Sequence, residues 1–175
     1  MVRAKKLGLK IYSYQEMIAE ITNDTKLIAV SGCHGKTTTT TMVSKVLENV
    51  GVNYLIGDGT GYAKKGNEYF ALEACEWKRH FLAYNPYYSI ITNIELDHTD
   101  YYKDLDDVMD AFTSFVNKTR KCVIMCGDDI NTRRIKTDKK VMFYGFNDNN
   151  DVIAKNITHD NEKTVADIYI DGDFF

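Results

Sequence analysis

From Lys26 onward the chain alternates short apolar runs with stretches whose apolar residues recur every three to four positions. That alternation predicts strands interleaved with helices. Leu27-Ile28-Ala29-Val30 is a continuous apolar run, as expected of a strand covered on both faces. A Gly/Thr-rich turn follows. Then Met42, Val43, Val46, Leu47 and Val50 fall at helical spacing, with Gly51 where a C-cap glycine belongs. Tyr54-Leu55-Ile56, Tyr69-Phe70-Ala71-Leu72 and Tyr88-Ser89-Ile90-Ile91-Thr92 read as strands. Leu105, Val108, Met109, Phe112 and Val116 mark one face of a helix, and Asp104, Asp106 and Asp107 in its first turn suit the positive end of the helix dipole. Cys122 to Cys126 and Val141 to Tyr144 read as further strands. The stretch from 151 to 175 is more polar and alternates through Val152, Ala154, Ile157, Val165, Ile168 and Ile170, which fits antiparallel strands better. The predicted class is α/β: a mostly parallel sheet flanked by helices and joined by right-handed crossovers, with a more antiparallel C-terminal part.

The two ends break the pattern. Ser13 and Glu16 have capping-box spacing ahead of Met17, Ile18 and Ile21, predicting one short helix that ends near Asn23-Asp24. Residues 1–25 are too few for a domain and are expected to be a linker or the tail of a preceding one. At the other end Asp171-Gly172 is a turn signal followed by Phe174-Phe175, a hairpin that starts its return and stops. That ending leads to the expectation that a domain spanning 26–175 is cut short at its C-terminus.

Composition narrows the options. At 44% hydrophobic and 27% charged residues, wholesale disorder is excluded. A net charge of −3 argues against a nucleic-acid-coating protein but not against a local phosphate site. The sequence holds no apolar run near the roughly 18–20 residues a membrane span requires. The basic N-terminus has no apolar segment behind it, so neither a secretory signal nor a membrane partner is expected. Cys33, Cys75, Cys122 and Cys126 lack zinc spacing, and a chain of this length does not depend on disulfides; a reducing cytoplasm is the expected setting. Cys122 and Cys126 share a strand face and are expected in the core.

The segment richest in chemistry is Val30-Ser31-Gly32-Cys33-His34-Gly35-Lys36-Thr37-Thr38. It follows a strand and opens a helix, the context of a phosphate-binding loop. Gly32 and Gly35 let backbone N–H groups wrap phosphate oxygens, and the helix start adds its unpaired N–H groups and dipole. Lys36 supplies a point charge for β- and γ-phosphates, and the Thr37 hydroxyl is positioned for Mg²⁺. The common loop has four residues between its first glycine and Gly-Lys-Ser/Thr; here two separate Gly32 from Gly35, so this is a variant. A metal-holding acidic residue is then expected at the end of a neighbouring strand. Two segments offer one: Glu73-Ala74-Cys75-Glu76, and Thr92-Asn93-Ile94-Glu95-Leu96-Asp97-His98. Sites in open α/β sheets form outside the carboxyl ends of strands, so the three strand ends should converge. Glu73 follows its strand directly, with Glu76 as its rival. His98 beside Asp97 is a candidate. His34 either touches substrate or fills space, and His80 and His159 are expected at the surface.

Together, the Gly32 to Thr40 loop, the Glu73-Ala74-Cys75-Glu76 segment and the Thr92 to His98 segment resemble the ATP-binding central domain of the Mur ligases, in the branch that adds L-alanine. Arg79-His80-Phe81-Leu82, Tyr88 to Asn93 and Asp100-Tyr101-Tyr102 are similar to its Gram-positive members. The resemblance implies a P-loop-type mononucleotide-binding domain over 26–175, with 1–25 the end of a UDP-sugar domain and its linker helix. It implies ATP and Mg²⁺ as cofactors, with UDP-N-acetylmuramate and L-alanine as partners of the full-length, three-domain enzyme. It places Gly32, Cys33, His34, Gly35, Lys36, Thr37, Thr38 and Asn93 around the nucleotide. It implies Lys36 and His98 as catalytic groups, and Thr37, Glu73 and His98 as metal ligands. Two departures are Cys33, where Thr is commoner, and Cys75, where Asp is common. Sister ligases (a muropeptide-recycling enzyme or a folylpolyglutamate synthetase-like one) and a non-catalytic nucleotide-binding module are the alternatives.

Overall fold

The computed structural model describes residues 2–160 and 162–175. Two short helices lead in: α1 (Val2–Lys6), which the basic N-terminal run did not announce, and α2 (Tyr14–Thr22). The capping box of α2 closes as its spacing predicts. Glu16 N donates to Ser13 Oγ at 3.2 Å, and Ser13 N donates to Glu16 Oε2 at 2.6 Å.

The strands are β1 (Lys26–Ser31), β2 (Val52–Leu55), β3 (Gly61–Tyr62), β4 (Tyr69–Glu73), β5 (Tyr88–Ile91), β6 (Cys122–Cys126), β7 (Val141–Gly145), β8 (Val152–His159), β9 (Thr164–Ile170) and β10 (Asp173–Phe174). They form one sheet in the order β10-β9-β8-β7-β6-β5-β1-β4-β2-β3. From β2 across to β8 neighbouring strands are parallel; β3, β9 and β10 are antiparallel additions at the two edges. The α/β class with an antiparallel C-terminal part therefore holds. β3, only two residues long, carried no periodic signal. The Asp171-Gly172 turn closes as a tight hairpin with both residues at positive φ (51° and 91°), which matches the twist of the strands it joins.

Strand alternation sorts the faces. Leu27, Ala29, Phe70, Leu72, Ile91, Val123 and Met125 share one core with α4 (Leu105–Asn117) and with a 3₁₀ segment, Trp77–Ala83, that lies beside it. Phe81 is fully buried there, stacked on Phe115 at 4.5 Å and edge-on to Phe112 at 5.2 Å between centroids. On the opposite face α3 (Lys36–Val46) packs over β4, β1 and β2. Its buried residues are Thr40 and Ser44, not the apolar positions that the spacing marked. Their hydroxyls bond back into the helix, Thr40 Oγ1 to Lys36 O at 2.8 Å and Ser44 Oγ to Thr41 O at 2.7 Å, so they pack as small, satisfied side chains. Met42 and Val46 are 61% and 79% exposed. With Val43, Tyr88, Ile90 and Ile124 they border an apolar groove of about 350 Å³. Helix α3 stops at Val46, and a 3₁₀ turn (Glu48–Val50) carries the chain to Gly51 at φ 86°. Cys122 is buried as expected, whereas Cys126, at the strand's end, is only half-buried.

Candidate functional site

Strands β5, β1 and β4 are adjacent and parallel, so the segments that follow them emerge at one sheet edge. Gly32, directly after β1, sits at φ 136°, and a Cβ there would overlap Thr92 Oγ1. The loop therefore lies flush against the end of β5. It is clipped there: His34 N donates to Asn93 Oδ1 at 2.9 Å, and His34 O accepts from Thr92 Oγ1 at 2.6 Å and Asn93 Nδ2 at 3.1 Å. Cys33 Sγ donates to Glu95 O at 3.3 Å and accepts from Glu95 N at 3.2 Å, and burial pushes its thiol up to about 11. Gly35, at φ 80°, is the N-cap of α3 and contributes no side-chain cap. The N–H groups of Lys36, Thr37 and Thr38 in the first turn thus have no intrahelical acceptor, which makes the loop an anion-binding concavity.

Lys36 closes the mouth from within. Its Nζ lies 2.6 Å from Gly32 O, 3.2 Å from Cys33 O and 3.1 Å from Glu76 Oε1. Glu76 is 1% exposed. Its Oε1 is also 3.2 Å from His98 Nε2, while its Oε2 is buried with no partner among the described residues. Asp97 Oδ1 accepts from His98 N at 2.6 Å, and ligand atoms of Glu76, Asp97 and His98 all lie within 4.8 Å of one another. A buried carboxylate with an idle oxygen, next to an imidazole and a second carboxylate, is a donor set that fits a hard divalent cation. Behind the loop, Asp129 Oδ2 accepts from Ile94 N at 3.3 Å and Asn131 Nδ2 donates to Ile94 O at 2.7 Å, which ties the His98 segment to the end of β6.

Residues 30–174 match the family model described as the Mur ligase middle domain. The chain belongs to the Mur ligase family. Among solved structures it is similar to the UDP-N-acetylmuramate–alanine ligase MurC of Thermotoga maritima, with a TM-score of 0.81 and 23% identity over 99% of this chain and 41% of that one. It is also similar to the UDP-N-acetylmuramate:L-alanyl-γ-D-glutamyl-meso-diaminopimelate ligase of Neisseria meningitides (TM-score 0.78, 21% identity, 98% and 60% coverage). A third is the MurF ligase of Thermotoga maritima in complex with ADP (TM-score 0.75, 18% identity, 94% and 44% coverage). These likenesses show the fold. The chain spans between 41% and 60% of the length of these three structures.

Within this Mur ligase middle domain the structure brings Lys36 and His98 together, with Glu76 between them. Glu73 ends β4 on the face of Ala71, opposite Phe70 and Leu72, and its Oε2 accepts from Gly57 N at 2.8 Å on the turn between β2 and β3. It lies outside the Glu76, Asp97, His98 cluster. Thr37 stands exposed in the first turn of α3, as do Thr38 and the His34 side chain in the loop. Asn93 clips the loop rather than projecting from it. His80, expected at the surface, is half-buried: Gln15 Nε2 lies 3.1 Å from its Nδ1, and Trp77 packs edge-on at 5.3 Å. His159 is exposed as expected. Two residues with a place at the site carried no chemical signal in the sequence: Tyr102, whose hydroxyl donates to Glu76 O at 2.5 Å, and Arg79, which forks onto Asp107 and Asp110.

Proposed function

We propose that this Mur ligase middle domain binds ATP with Mg²⁺ in the loop at 32–38 and serves a cytoplasmic enzyme of peptidoglycan synthesis that joins L-alanine to UDP-N-acetylmuramate. The observation that carries the reading is the convergence of Lys36, Glu76 and His98 at the mouth of a glycine loop that opens a helix. In that reading the muramyl carboxylate attacks the γ-phosphorus and the bond to the ADP oxygen breaks, giving an acyl phosphate. The amine of L-alanine then attacks the acyl carbon and phosphate leaves. A carboxylate approaching a polyphosphate meets strong like-charge repulsion. The first-turn amides and the Lys36 ammonium offset it by holding the β- and γ-phosphates and taking up charge as the transferred group moves. Thr37, Glu73 and His98 would hold Mg²⁺, which neutralises phosphate charge when bound. Glu76 remains the rival to Glu73: its Oε1 faces His98 and Lys36 and its Oε2 is free, while Glu73 Oε2 accepts from Gly57 N.

A second reading, a ligase that takes a preformed muropeptide, draws on the near-equal likeness to the Neisseria enzyme. In the full-length protein, ADP release with UDP-N-acetylmuramate and L-alanine favours the first reading, and release with a tripeptide instead of L-alanine favours the second. Nucleotide binding with no turnover on any of these leaves a binding module. For the site itself, calorimetric titration of Mg²⁺·ATP should show Lys36→Ala weakening binding at least tenfold, a loss of about 1.4 kcal/mol or more. Unchanged affinity would overturn the phosphate role. Glu73→Gln should raise the Mg²⁺ requirement at least tenfold; an unchanged Mg²⁺ titration there, with the rise seen in Glu76→Gln instead, would move the metal to Glu76.

A further inference from the structure

Glu76 carries a buried carboxylate with one lysine or arginine partner among the described residues. That partner is Lys36, whose Nζ lies 3.1 Å from Glu76 Oε1 and whose side chain is only 14% exposed. His98 Nε2 approaches the same oxygen at 3.2 Å and adds charge only when protonated. The backbone that carries Glu76 is held as well. Its carbonyl accepts from Arg79 N at 2.9 Å and from the buried Tyr102 hydroxyl at 2.5 Å. Arg79 in turn is anchored on α4, through Asp107 Oδ1 at 2.6 Å and Asp110 Oδ2 at 2.7 Å. The carboxylate is therefore fixed beside the lysine and cannot easily relieve its charge by turning to solvent.

Lys36 is the side chain that the phosphate reading depends on. Its three bonds, to Gly32 O, Cys33 O and Glu76 Oε1, must be exchanged for phosphate oxygens when its ammonium meets a nucleotide. Giving up two neutral carbonyls is a small loss. Giving up Glu76 strands a buried charge, which is strongly destabilising. A triphosphate without its cation thus meets a lysine already engaged, beside a carboxylate that repels it. A nucleotide that brings a divalent cation towards His98 brings positive charge towards the same Oε1, so Lys36 can turn to the phosphates while Glu76 keeps a counter-charge nearby.

We infer that Glu76 is a specificity-determining residue: its buried carboxylate engages Lys36 so that the loop takes a nucleoside triphosphate together with its divalent cation and discriminates against the metal-free form. This rests on the ATP reading above, with Thr37, Glu73 and His98 around the cation, and it gives Glu76 a part played by its charge on Lys36 rather than by ligation. The discrimination works by leaving an unpaired charge against the wrong ligand.

The test is calorimetric titration of the protein with ATP in chelator and, separately, with Mg²⁺·ATP. Wild type should bind Mg²⁺·ATP at least about tenfold more tightly than metal-free ATP. Glu76→Gln keeps the shape and loses the charge. It should tighten metal-free ATP about tenfold and leave Mg²⁺·ATP within about threefold, so that the preference collapses. In a Lys36→Ala background the same change should gain much less, because the two residues act as one pair. A general loss of structure weakens both forms and cannot produce the gain. If Glu76→Gln does not fold, Tyr102→Phe, which loosens the hold on the Glu76 carbonyl, carries the test with a smaller gain in the same direction. Three outcomes overturn the inference in distinguishable ways. If folded Glu76→Gln binds metal-free ATP no better than wild type, the discriminating role falls, and a raised Mg²⁺ requirement in the same variant makes Glu76 a ligand instead. If the full gain persists in the Lys36→Ala background, Glu76 repels phosphate by itself and the part assigned to the pair falls. If wild type binds ATP in neither form, the ATP reading falls and takes this inference with it.

Discussion

A thiol in a phosphate loop would be exposed to alkylation and oxidation unless it were sealed, and Cys33 is sealed. Its sulfur is buried between the Glu95 N–H and carbonyl, and burial raises its ionisation to about 11. Because the thiolate is the reactive form, iodoacetamide at pH 8 should label the exposed Cys75 at least tenfold faster than Cys33, as read by peptide mass spectrometry. Equal labelling would mean the loop opens freely. The raised value also has a sign for stability. Folding favours the neutral thiol, so its contribution is complete below about pH 9 and is lost as pH rises towards about 11. The stability difference between wild type and Cys33→Ser should therefore shrink over that window. At Gly32 the constraint is steric. Alanine would push its Cβ into Thr92 Oγ1 and disturb the Thr92 bond to His34 O, so Gly32→Ala should cost about 1–3 kcal/mol and impair nucleotide binding.

At the scale of elements, helix termini carry much of the design. Asp104 caps α4 by accepting from Asp107 N at 2.9 Å, and the acidic first turn that marked this helix in the sequence is the one observed. Asp104→Ala should cost about 1 kcal/mol, a fall of about 2–4 °C in Tm. Asp107 has a further task that its spacing did not reveal. The Lys103 N–H and the Arg79 guanidinium hold its carboxyl below the usual carboxylate range. A lowered value contributes stability above about 3.8 that is lost as pH falls further, so the destabilisation caused by Asp107→Asn should diminish below pH 4 in acid-unfolding experiments. Helix α3 shows the limit of periodicity. Met42, Val43, Val46 and Val50 announced a helix correctly, but its buried side is Thr40 and Ser44, because α3 lies over β4, β1 and β2 and turns its apolar edge towards β5 and β6.

For the whole molecule, the two faces of the sheet are unequally covered. One carries α4, the 3₁₀ segment and the aromatic cluster of Phe81, Phe112 and Phe115; among the described residues the other carries α3 over only part of its width. Truncating Phe112 to alanine in the covered face should cost about 3–5 kcal/mol. In the open groove, Val46→Lys should leave Tm nearly unchanged, since Val46 is 79% exposed, and should reduce the fluorescence of a bound apolar dye such as ANS. Undiminished dye binding would place the apolar surface elsewhere. A parallel sheet gains its stability from both faces, so this face is where covering would add most.

Local rules sufficed for the order of the main strands and helices (α1 and the two-residue β3 apart), the capping box at Ser13, the hairpin turn at Asp171-Gly172 and the loop from Gly32 to Thr38. Each is written in neighbouring residues whose spacing, hydroxyls or missing Cβ act over one turn of chain. Side-chain direction at the site was a different matter. Whether Glu73 or Glu76 met His98 depended on strand parity, which sends Glu73 to Gly57, and on a left-handed turn at Lys78 and Arg79 that no propensity favours. That turn exists because Asp107, Asp110 and Tyr102, all later in the chain, reach back to hold it. Contacts between residues more than twenty positions apart are formed only when the sheet and α4 have assembled, and that is why the meeting of Glu76 with His98, and the hold of Tyr102 on the Glu76 carbonyl, emerged only in the tertiary structure.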